Sequence, residues 1–221
     1  RLARVLESLT SEVKIGVTTK HLDARSRELI KEVGCRPAFL GYRPHGAGKP
    51  YPATICTSVN DGVVHGVPSA YALKDGDIVK LDLGLIYKDF YVDAALTVPV
   101  GRISEDAARL IRVTEESLYA GIKKARQGNA LGDIGDAVQE HVEHEGFSVV
   151  RALTGHGVGR ELHEAPMVPN FGKKGGGMRL VSGMVIAIEP MVNAGGAAVR
   201  QEKDDSFVTR DGSLSAHFEH T

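Results

Sequence analysis

The sequence predicts an α/β protein built from two similar halves, and three observations support this. Helix and strand signals alternate along the 221 residues. Helix-like stretches between Gly16 and Gly34 and between Gly128 and Gly146 both span 18 positions. LKDGDIVKLD (73–82) and LVSGMVIAIE (180–189) share Leu-x-x-Gly, an apolar strand and a final acid. We interpret this as a duplicated α/β unit whose halves each place a carboxylate at a strand end; a chance match of short apolar strands is the alternative.

Composition places the chain among ordinary globular proteins. Hydrophobic residues make up 42% and charged residues 25%, enough for a sizeable core in one or two domains. The net charge of −1 gives no electrostatic reason to expect a nucleic-acid or membrane partner, and no apolar run is long enough to span a bilayer. Cys35 and Cys56 lie in separate segments without a CxxC motif, which indicates neither a disulfide framework nor a thiolate zinc site. A cytoplasmic location is expected.

Helices are predicted in both halves of the chain. RLARVLESLT (1–10) and HLDARSRELIKEVG (21–34) have helical patterns, the second ending in glycine. Ser104 precedes two acids and is expected to cap a helix whose apolar residues recur until Gly128. Another helix carries Ile134, Val138 and Val142 on one stripe and is expected to end at Gly146.

A hairpin is predicted between these helical regions. GDIVKLDLGLIYKDFYVDAALTVPVG (76–101) alternates in the β manner on both sides of a polar turn near Lys88 and Asp89. Asp82 and Asp93 are therefore expected to lie close across an antiparallel pair, and a β-bulge is one way in which their faces could be aligned. Two buried carboxylates at short distance need a proton or a metal ion between them. The alternative is a surface hairpin with exposed acids.

Two further acids and one histidine extend this set. Glu189 ends the strand VIAIE and is followed by Pro190, and Glu219 lies in the final strand LSAHFEHT. Four carboxylates with His156 make an oxygen-rich set, which suits Mn(II), Fe(II) or Co(II) better than a structural zinc site. One cation would leave excess negative charge, whereas two would balance it. We expect the glycines around His156 to let the backbone approach a metal and substrate closely.

Five segments together resemble the type 1 methionine aminopeptidases, which are metallopeptidases of family M24 with the pita-bread fold. They cover essentially the whole chain in the same order: TSVNDGVVHGVP (57–68), GDIVKLDLGLIYKDFYVD (76–93), GHGVGRELHEAP (155–166), IEPMVNAG (188–195) and SLSAHFEHT (213–221). The resemblance implies an internally duplicated fold with pseudo-twofold symmetry and an antiparallel sheet covered by helices. It also implies a single catalytic domain over 1–221, with halves of roughly 1–105 and 106–221.

The resemblance assigns roles to individual residues. Five match the family's ligands for two divalent ions drawn from Co, Mn, Fe and Zn: Asp82, Asp93, His156, Glu189 and Glu219. Asp93 and Glu219 match the bridging positions. His65 and His163 match the histidines that contact substrate around the scissile bond. The positions lining the pocket for the methionine side chain correspond to Tyr42, Cys56, His65 and Leu162.

The implied reaction is removal of the initiator methionine, preferably before a small second residue. Glu189 would act as general base, His163 would bind the carbonyl oxygen, and His65 would lie near the amide nitrogen. The implied partners are the N-termini of nascent polypeptides and other peptides that start with methionine; association with the ribosome is left open. We expect a monomer with no specific nucleic acid and no membrane as partner.

Several positions depart from the family pattern. Asp205 stands where relatives usually have tryptophan, and Ala94 follows the second ligand where threonine is common. GYRPHGAGKPYP (41–52) is expected to change the rim of the methionine pocket. His217 and His220 flank Glu219 either as partners of the ligands or as ordinary strand residues. The chain begins inside a helical pattern and ends two residues after Glu219, and we expect the natural protein to extend further.

Two other functions share the predicted fold. A peptidase for Xaa-Pro bonds uses the same five ligand types but usually carries an additional N-terminal domain. A non-catalytic binding module would have lost its ligands, whereas all five ligand types are present here.

Overall fold

The computed structural model describes residues 1–43 and 49–221. The expected change of the pocket rim at 41–52 falls partly on residues 44–48, which lie outside the described residues. The α/β class is confirmed: helices lie against antiparallel sheets. The helices are α1 (Leu2–Glu12), α2 (Thr19–Glu32), α3 (Glu105–Ile122) and α4 (Leu131–His144). None of these described helices combines the length and apolar character needed to cross a bilayer.

Side-chain hydroxyls cap two helix starts, of which the one at Ser104 was predicted from the sequence. The Ser104 hydroxyl accepts the Ala107 N–H at 3.1 Å, and the Thr18 hydroxyl accepts the His21 N–H at 3.1 Å. The predicted end of α3 is wrong, because the helix stops at Ile122 instead of continuing towards Gly128. The Asn129 side chain there donates to the Lys124 carbonyl at 2.9 Å. This bond supports a series of turns in place of the last helical turn.

Short strands join into antiparallel sheets around one long hairpin. Strand β4 pairs with β1, β2 and β5, and β5 pairs in turn with β14. The other sheets have the orders β13-β10-β6, β11-β12-β3 and β8-β7-β9. The strands are β1 (Arg36–Pro37), β2 (Cys56–Val59), β3 (Gly62–Val64), β4 (Ile78–Tyr87), β5 (Phe90–Pro99), β6 (Ser148–Val149), β7 (Gly155–Gly157), β8 (Glu164–Val168), β9 (Ile186–Ala187), β10 (Met191–Asn193), β11 (Val199–Gln201), β12 (Phe207–Thr209), β13 (Ser215–His217) and β14 (Glu219–His220).

The β4–β5 hairpin forms without a β-bulge. Its two-residue turn places Lys88 and Asp89 in the left-handed region, at φ 48° and 62°, as a type I′ turn requires. Pairing then runs in register from Tyr87↔Phe90 to Ile78↔Pro99. Asp93 lies opposite Gly84, two positions from Asp82, and an even offset keeps both side chains on one face. The turn alone sets this register, so no bulge is needed to align the two side chains.

The repeated sequence pattern corresponds to equivalent helices. Helices α2 and α4 are both 14 residues long, and the glycines that bracket them all have positive φ. The residue before each helix also forms an isolated β-bridge. Thr18 pairs with Ala72, just before the segment 73–82, and Ala130 pairs with Arg179, just before the segment 180–189. The strands are less alike, since β4 has ten residues and β9 only two.

Two apolar clusters support the β4–β5 hairpin and strands β10 and β13. Helices α1 and α2 pack Leu9, Leu22 and Ile30 against β4. Helices α3 and α4 contribute Leu110 and Val138 to a cluster that includes strands β10 and β13. The hairpin is therefore held rigidly, which is what a site built on β4 and β5 requires.

Candidate metal centre and active site

The two hairpin acids are both buried. Asp82 is 7% exposed and Asp93 is 4% exposed. The hydroxyl of Thr221 accepts the Asp93 N–H at 2.9 Å and donates to the Asp93 carbonyl at 2.7 Å, which ties the end of the chain to β5. Each aspartate has one buried carboxylate oxygen without a hydrogen-bond partner among the described residues. Such unpaired oxygens are costly unless a cation or proton meets them.

His156 lies in β7 with one nitrogen already committed. Its Nδ1 donates to the Gly157 carbonyl at 2.8 Å, which leaves Nε2 as the free donor atom towards a metal ion. The glycines beside His156 allow neighbouring backbone to pack closely within the sheet. A Cβ atom at Gly155 would lie 2.3 Å from the Ala187 carbonyl oxygen, and one at Gly157 would lie 2.3 Å from the Ala165 carbonyl oxygen. The expectation that they make room for metal and substrate was wrong, because neighbouring backbone fills that space.

The remaining acids approach from two other segments. Glu189 follows β9, with Oε1 3.4 Å from His156 Nε2 and Oε2 3.7 Å from His217 Nε2. Glu219 belongs to β14, is 2% exposed and lies opposite Ala95 of β5. Sequence reasoning left the role of His217 open, and the structure places it against Glu189. His220 is exposed and stacks on Tyr119.

All five predicted ligands surround one cavity. Ligand atoms of Asp93, His156 and Glu219 lie within 4.8 Å of one another, and Asp82 and Glu189 line the same space. Their role as ligands stays a prediction. The donor set nevertheless fits divalent cations, since it offers buried oxygens without partners and one imidazole nitrogen.

Burial and the repulsion between neighbouring carboxylates together set the protonation of the cluster. Burial raises the pKa of Asp82, Glu189 and Glu219 well above their usual range, and the neighbouring carboxylates raise it further. Burial also raises the pKa of Asp93, to about 7. Burial lowers the pKa of His156, which keeps its imidazole neutral. Such a site takes up protons or cations, and a divalent ion would favour the ionised carboxylates.

His65 and His163 face the same cavity. His65 has a left-handed backbone, at φ 60°, and its ring meets Phe207 edge-on. His163 stacks edge-on against His156 with ring centroids 4.3 Å apart. Both rings touch the cavity but have protein on their other sides. This partial removal from water lowers the pKa of both, that of His163 to about 4, with His156 and His65 adding to the shift at His163.

An apolar wall bounds the cavity, which measures about 540 Å³. The wall includes the predicted pocket residues Tyr42, Cys56 and Leu162. Burial and the neighbouring Asp82 raise the pKa of the Cys56 thiol, so it stays protonated. Sequence reasoning missed Phe39 and Tyr51, which complete this wall. The sequence offered one indication of these residues, which is that they lie near Tyr42 along the chain. Their contact with Cys56 could not be predicted, because it depends on the pairing of β1 and β2 with β4.

Charged residues form another side of the rim. Lys203, Asp204 and Asp205 also line the cavity. Asp205 has φ 67° and accepts a hydrogen bond from Gln201 Nε2 at 3.1 Å. The position where the related family usually has an indole ring therefore carries a carboxylate beside His65.

Comparison with known sequences gives matches over all or nearly all of this chain. The model of metallopeptidase family M24 matches residues 1–221. A methionine aminopeptidase of Clostridium perfringens is 50% identical over 221 residues, covering 100% of this chain and 86% of that protein. Methionine aminopeptidase 1 of Bacillus subtilis is 47% identical over 216 residues, covering 97% of this chain and 85% of that protein.

Solved structures agree with the sequence matches. The crystal structure of methionine aminopeptidase from Rickettsia prowazekii has a TM-score of 0.94 at 40% identity, covering 99% of this chain and 86% of that one. A prolidase of Pyrococcus horikoshii shares the fold alone, with a TM-score of 0.71 at 22% identity and 54% of its length covered. The pita-bread fold is thereby confirmed. The chain belongs to metallopeptidase family M24 and, within it, to the methionine aminopeptidases.

Proposed function

We propose that this protein removes the N-terminal methionine from newly made polypeptides by metal-assisted hydrolysis of the first peptide bond. One observation carries the proposal. Three buried carboxylates, the partly buried Glu189 and a neutral imidazole meet at a cavity that also has an apolar, partly aromatic wall. The site thus combines a place for divalent cations with a place for an uncharged side chain.

We assign the cations to five ligands and expect two ions. The ligands are Asp82, Asp93, His156, Glu189 and Glu219, with Asp93 and Glu219 shared between the ions. The proposal is supported by charge, because four carboxylates balance two divalent cations. It is also supported by the unpaired buried oxygens of Asp82, Asp93 and Glu219. The ligand set accepts Co, Mn, Fe or Zn, since oxygen and imidazole donors suit all of these ions.

The apolar wall suits a methionine side chain. We assign Tyr42, Cys56 and Leu162 to the binding of this side chain, together with Phe39 and Tyr51. An unbranched thioether fills irregular apolar space well and makes favourable contacts with aromatic rings. The protonated thiol of Cys56 adds no charge to this wall. A charged substrate side chain would lose its hydration here without gaining a partner.

Three side chains carry the proton transfers and polar contacts of the proposed reaction. When bound, divalent ions supply an activated water and polarise the scissile carbonyl group. Glu189 accepts a proton from the attacking water and passes it to the leaving amide nitrogen. His163 donates a hydrogen bond to the carbonyl oxygen as negative charge develops. His65 positions the peptide near the amide nitrogen, and its left-handed backbone supports a functional role for this residue.

We further propose that the chain is one catalytic domain of two halves, roughly 1–105 and 106–221. The matching lengths and bridges of α2 and α4 support this division. The enzyme would act as a cytoplasmic monomer on the N-termini of nascent chains. Two free cysteines are consistent with a reducing compartment.

Hydrolysis by the reconstituted enzyme tests the proposal. The metal-free protein would be loaded separately with Mn(II), Fe(II), Co(II) and Zn(II) and offered Met-Ala-Ser, Met-Phe-Ser and Ala-Pro-Ser. We expect free methionine from Met-Ala-Ser, less from Met-Phe-Ser, and no alanine from Ala-Pro-Ser. Metal-free protein is the control and should release nothing.

The same assay separates the alternatives. Cleavage of Ala-Pro-Ser alone would favour the Xaa-Pro peptidase. Absence of hydrolysis, with two metal equivalents bound by calorimetry, would favour the non-catalytic binding module. Release of methionine by protein that holds no metal would contradict the proposed chemistry.

A further inference from the structure

The strongest unassigned contact joins the apolar wall to the polar centre. The hydroxyl of Tyr42 lies 2.6 Å from Nδ1 of His163, and the two ring centroids are 5.2 Å apart. A distance this short between a hydroxyl oxygen and a ring nitrogen is a hydrogen bond. The residues are 121 positions apart in sequence, so only the fold brings them together.

The direction of this hydrogen bond decides what His163 can do. A neutral imidazole has one N–H and one bare nitrogen. If Tyr42 donates to Nδ1, the proton of His163 is on Nε2. If Nδ1 donates to Tyr42, Nε2 carries a lone pair and cannot donate to anything.

The surroundings favour donation by Tyr42. Within residues 1–43 and 49–221, His163 Nδ1 is the side-chain partner that the structure places beside this hydroxyl. Burial raises the pKa of Tyr42, so the phenol keeps its proton. If Nδ1 donated instead, the Tyr42 proton would have to be directed to solvent in the cavity, whereas donation by Tyr42 joins the two groups in one hydrogen bond.

We propose that Tyr42 is a positioning residue that holds His163 as the Nε2–H tautomer; the inference rests on the proposed function. Nδ1 and Nε2 lie on opposite sides of the ring, so a proton on Nε2 is directed away from Tyr42. His156 packs edge-on against the same ring at 4.3 Å and limits its rotation. The donor that the scissile carbonyl oxygen requires is then fixed before substrate arrives.

This role differs from that of an ordinary pocket residue. A tyrosine that only lines the methionine pocket contributes its ring, and phenylalanine would replace it with little loss. A tyrosine that sets the tautomer contributes its hydroxyl, and phenylalanine would leave Nδ1 and Nε2 to compete for the proton.

Nitrogen NMR of the metal-free protein tests the tautomer directly. Histidine labelled with ¹⁵N would be observed near neutral pH in two-bond ¹H–¹⁵N spectra of the wild type, with His163→Gln to assign the signal. We expect Nε2 of His163 to be protonated and Nδ1 to be bare. In Tyr42→Phe we expect a mixture of both tautomers. Tyr91→Phe is the matched control. Tyr91 belongs to the same apolar cluster and contributes to the raised pKa of Tyr42, but among the described residues it has no hydrogen bond to His163.

Kinetics of the metal-loaded enzyme provide the second readout. Tyr42→Phe should lower kcat about tenfold, the value of one hydrogen bond made in the transition state. Its KM should stay within about twofold of the wild type, because the ring that meets the methionine side chain remains. Tyr91→Phe should change neither constant appreciably.

The two proposals fail in different ways. Nδ1–H in wild-type His163 would overturn the positioning role, even if the enzyme releases methionine. An unchanged tautomer in Tyr42→Phe would overturn it as well. A protein with Nε2–H that hydrolyses no methionine peptide would support the tautomer assignment and contradict the proposed function.

Discussion

Asp93 illustrates the conflict between folding and function at a single residue. It is 4% exposed, has an unpaired oxygen and shares its surroundings with three other carboxylates. Burial of like charges opposes folding, so no stability argument explains this cluster in the absence of a cation. A metal site explains it, because the cation supplies the missing partner.

Replacing Asp93 with asparagine should separate binding from stability. We expect Asp93→Asn to lose one bound ion and to lower kcat/KM more than about a hundredfold. This exceeds the loss expected when only a hydrogen-bond partner of a metal ligand is replaced. The metal-free variant should be at least as stable as the wild type, since one repelling charge is gone. Calorimetric metal titration and urea denaturation measure the two effects.

Asp89→Asn is the matched control for this prediction. Asp89 belongs to the same hairpin, but its side chain is 80% exposed at the turn. We expect normal metal binding and activity from this variant. Full activity in Asp93→Asn would contradict the metal assignment.

Lys80 is the most unusual buried residue outside the proposed ligands. It is 1% exposed, and its ammonium group donates to the carbonyls of Asn60 at 2.7 Å and Ser215 at 2.8 Å. Burial lowers the pKa of Lys80 from 10.5 to about 7. The side chain joins the β2–β3 turn to Ser215 at the start of β13. Ser215 is two residues before His217 and four before Glu219.

This lowered pKa predicts a pH-dependent stability difference. Between about pH 7 and 10.5 the unfolded chain binds more protons at Lys80 than the folded protein, so the contribution of Lys80 to stability rises with pH. Compared with Lys80→Met, the wild type should gain up to about 1.4 kcal/mol per pH unit over this range. Denaturation of both proteins from about pH 7 to 9.5 measures this. A difference between the two proteins that stays constant over this pH range would contradict the prediction.

At the scale of elements, side-chain hydroxyls join the end of the chain to β5. The Thr97 hydroxyl donates to the His217 carbonyl at 2.8 Å and accepts the His217 N–H at 2.9 Å. Thr221 makes the corresponding pair of bonds to the backbone of Asp93. Glu219 lies between these two attachments, so they determine where its carboxylate is held.

Thr97→Val should loosen this attachment without changing the side-chain shape. Two buried backbone groups of His217 would lose their partner, which should cost about 2–4 kcal/mol of stability. Metal affinity should fall as well, because Glu219 lies two residues further along. Thr97→Ser keeps the hydroxyl and should restore both properties. Equal metal affinity in Thr97→Val and wild type would show that β14 is held by other contacts.

At the scale of the whole molecule, bound metal should connect the two halves, because its ligands come from both. Ions displace protons from carboxylates whose pKa values are raised, that of Asp93 to about 7. Metal affinity should therefore rise with pH, by about 1.4 kcal/mol per pH unit for each proton released. We expect Co(II) to raise the Tm more at about pH 7.5 than at about pH 6. Identical shifts at both pH values would contradict the raised pKa values.

Many features of this molecule follow from local sequence. The Ser104 cap, the glycines after α2 and α4 and the Lys88–Asp89 turn are short-range effects, because each depends on neighbouring backbone groups. The kinds of residue that form the site were also predictable, since apolar strands that end in carboxylates are unusual without a cation. The full-length match then confirmed the family to which these residues pointed.

Other features depend on contacts between distant segments, and the tertiary structure alone decided them. Strand register put Asp82 and Asp93 on one face without a bulge, and the backbone of Ala187 and Ala165 explains why glycine is needed beside His156. Packing brought Tyr42 to His163. The physical reason is common to these cases: local sequence encodes the propensity of each element, whereas the distances between side chains are set only when the elements pack together.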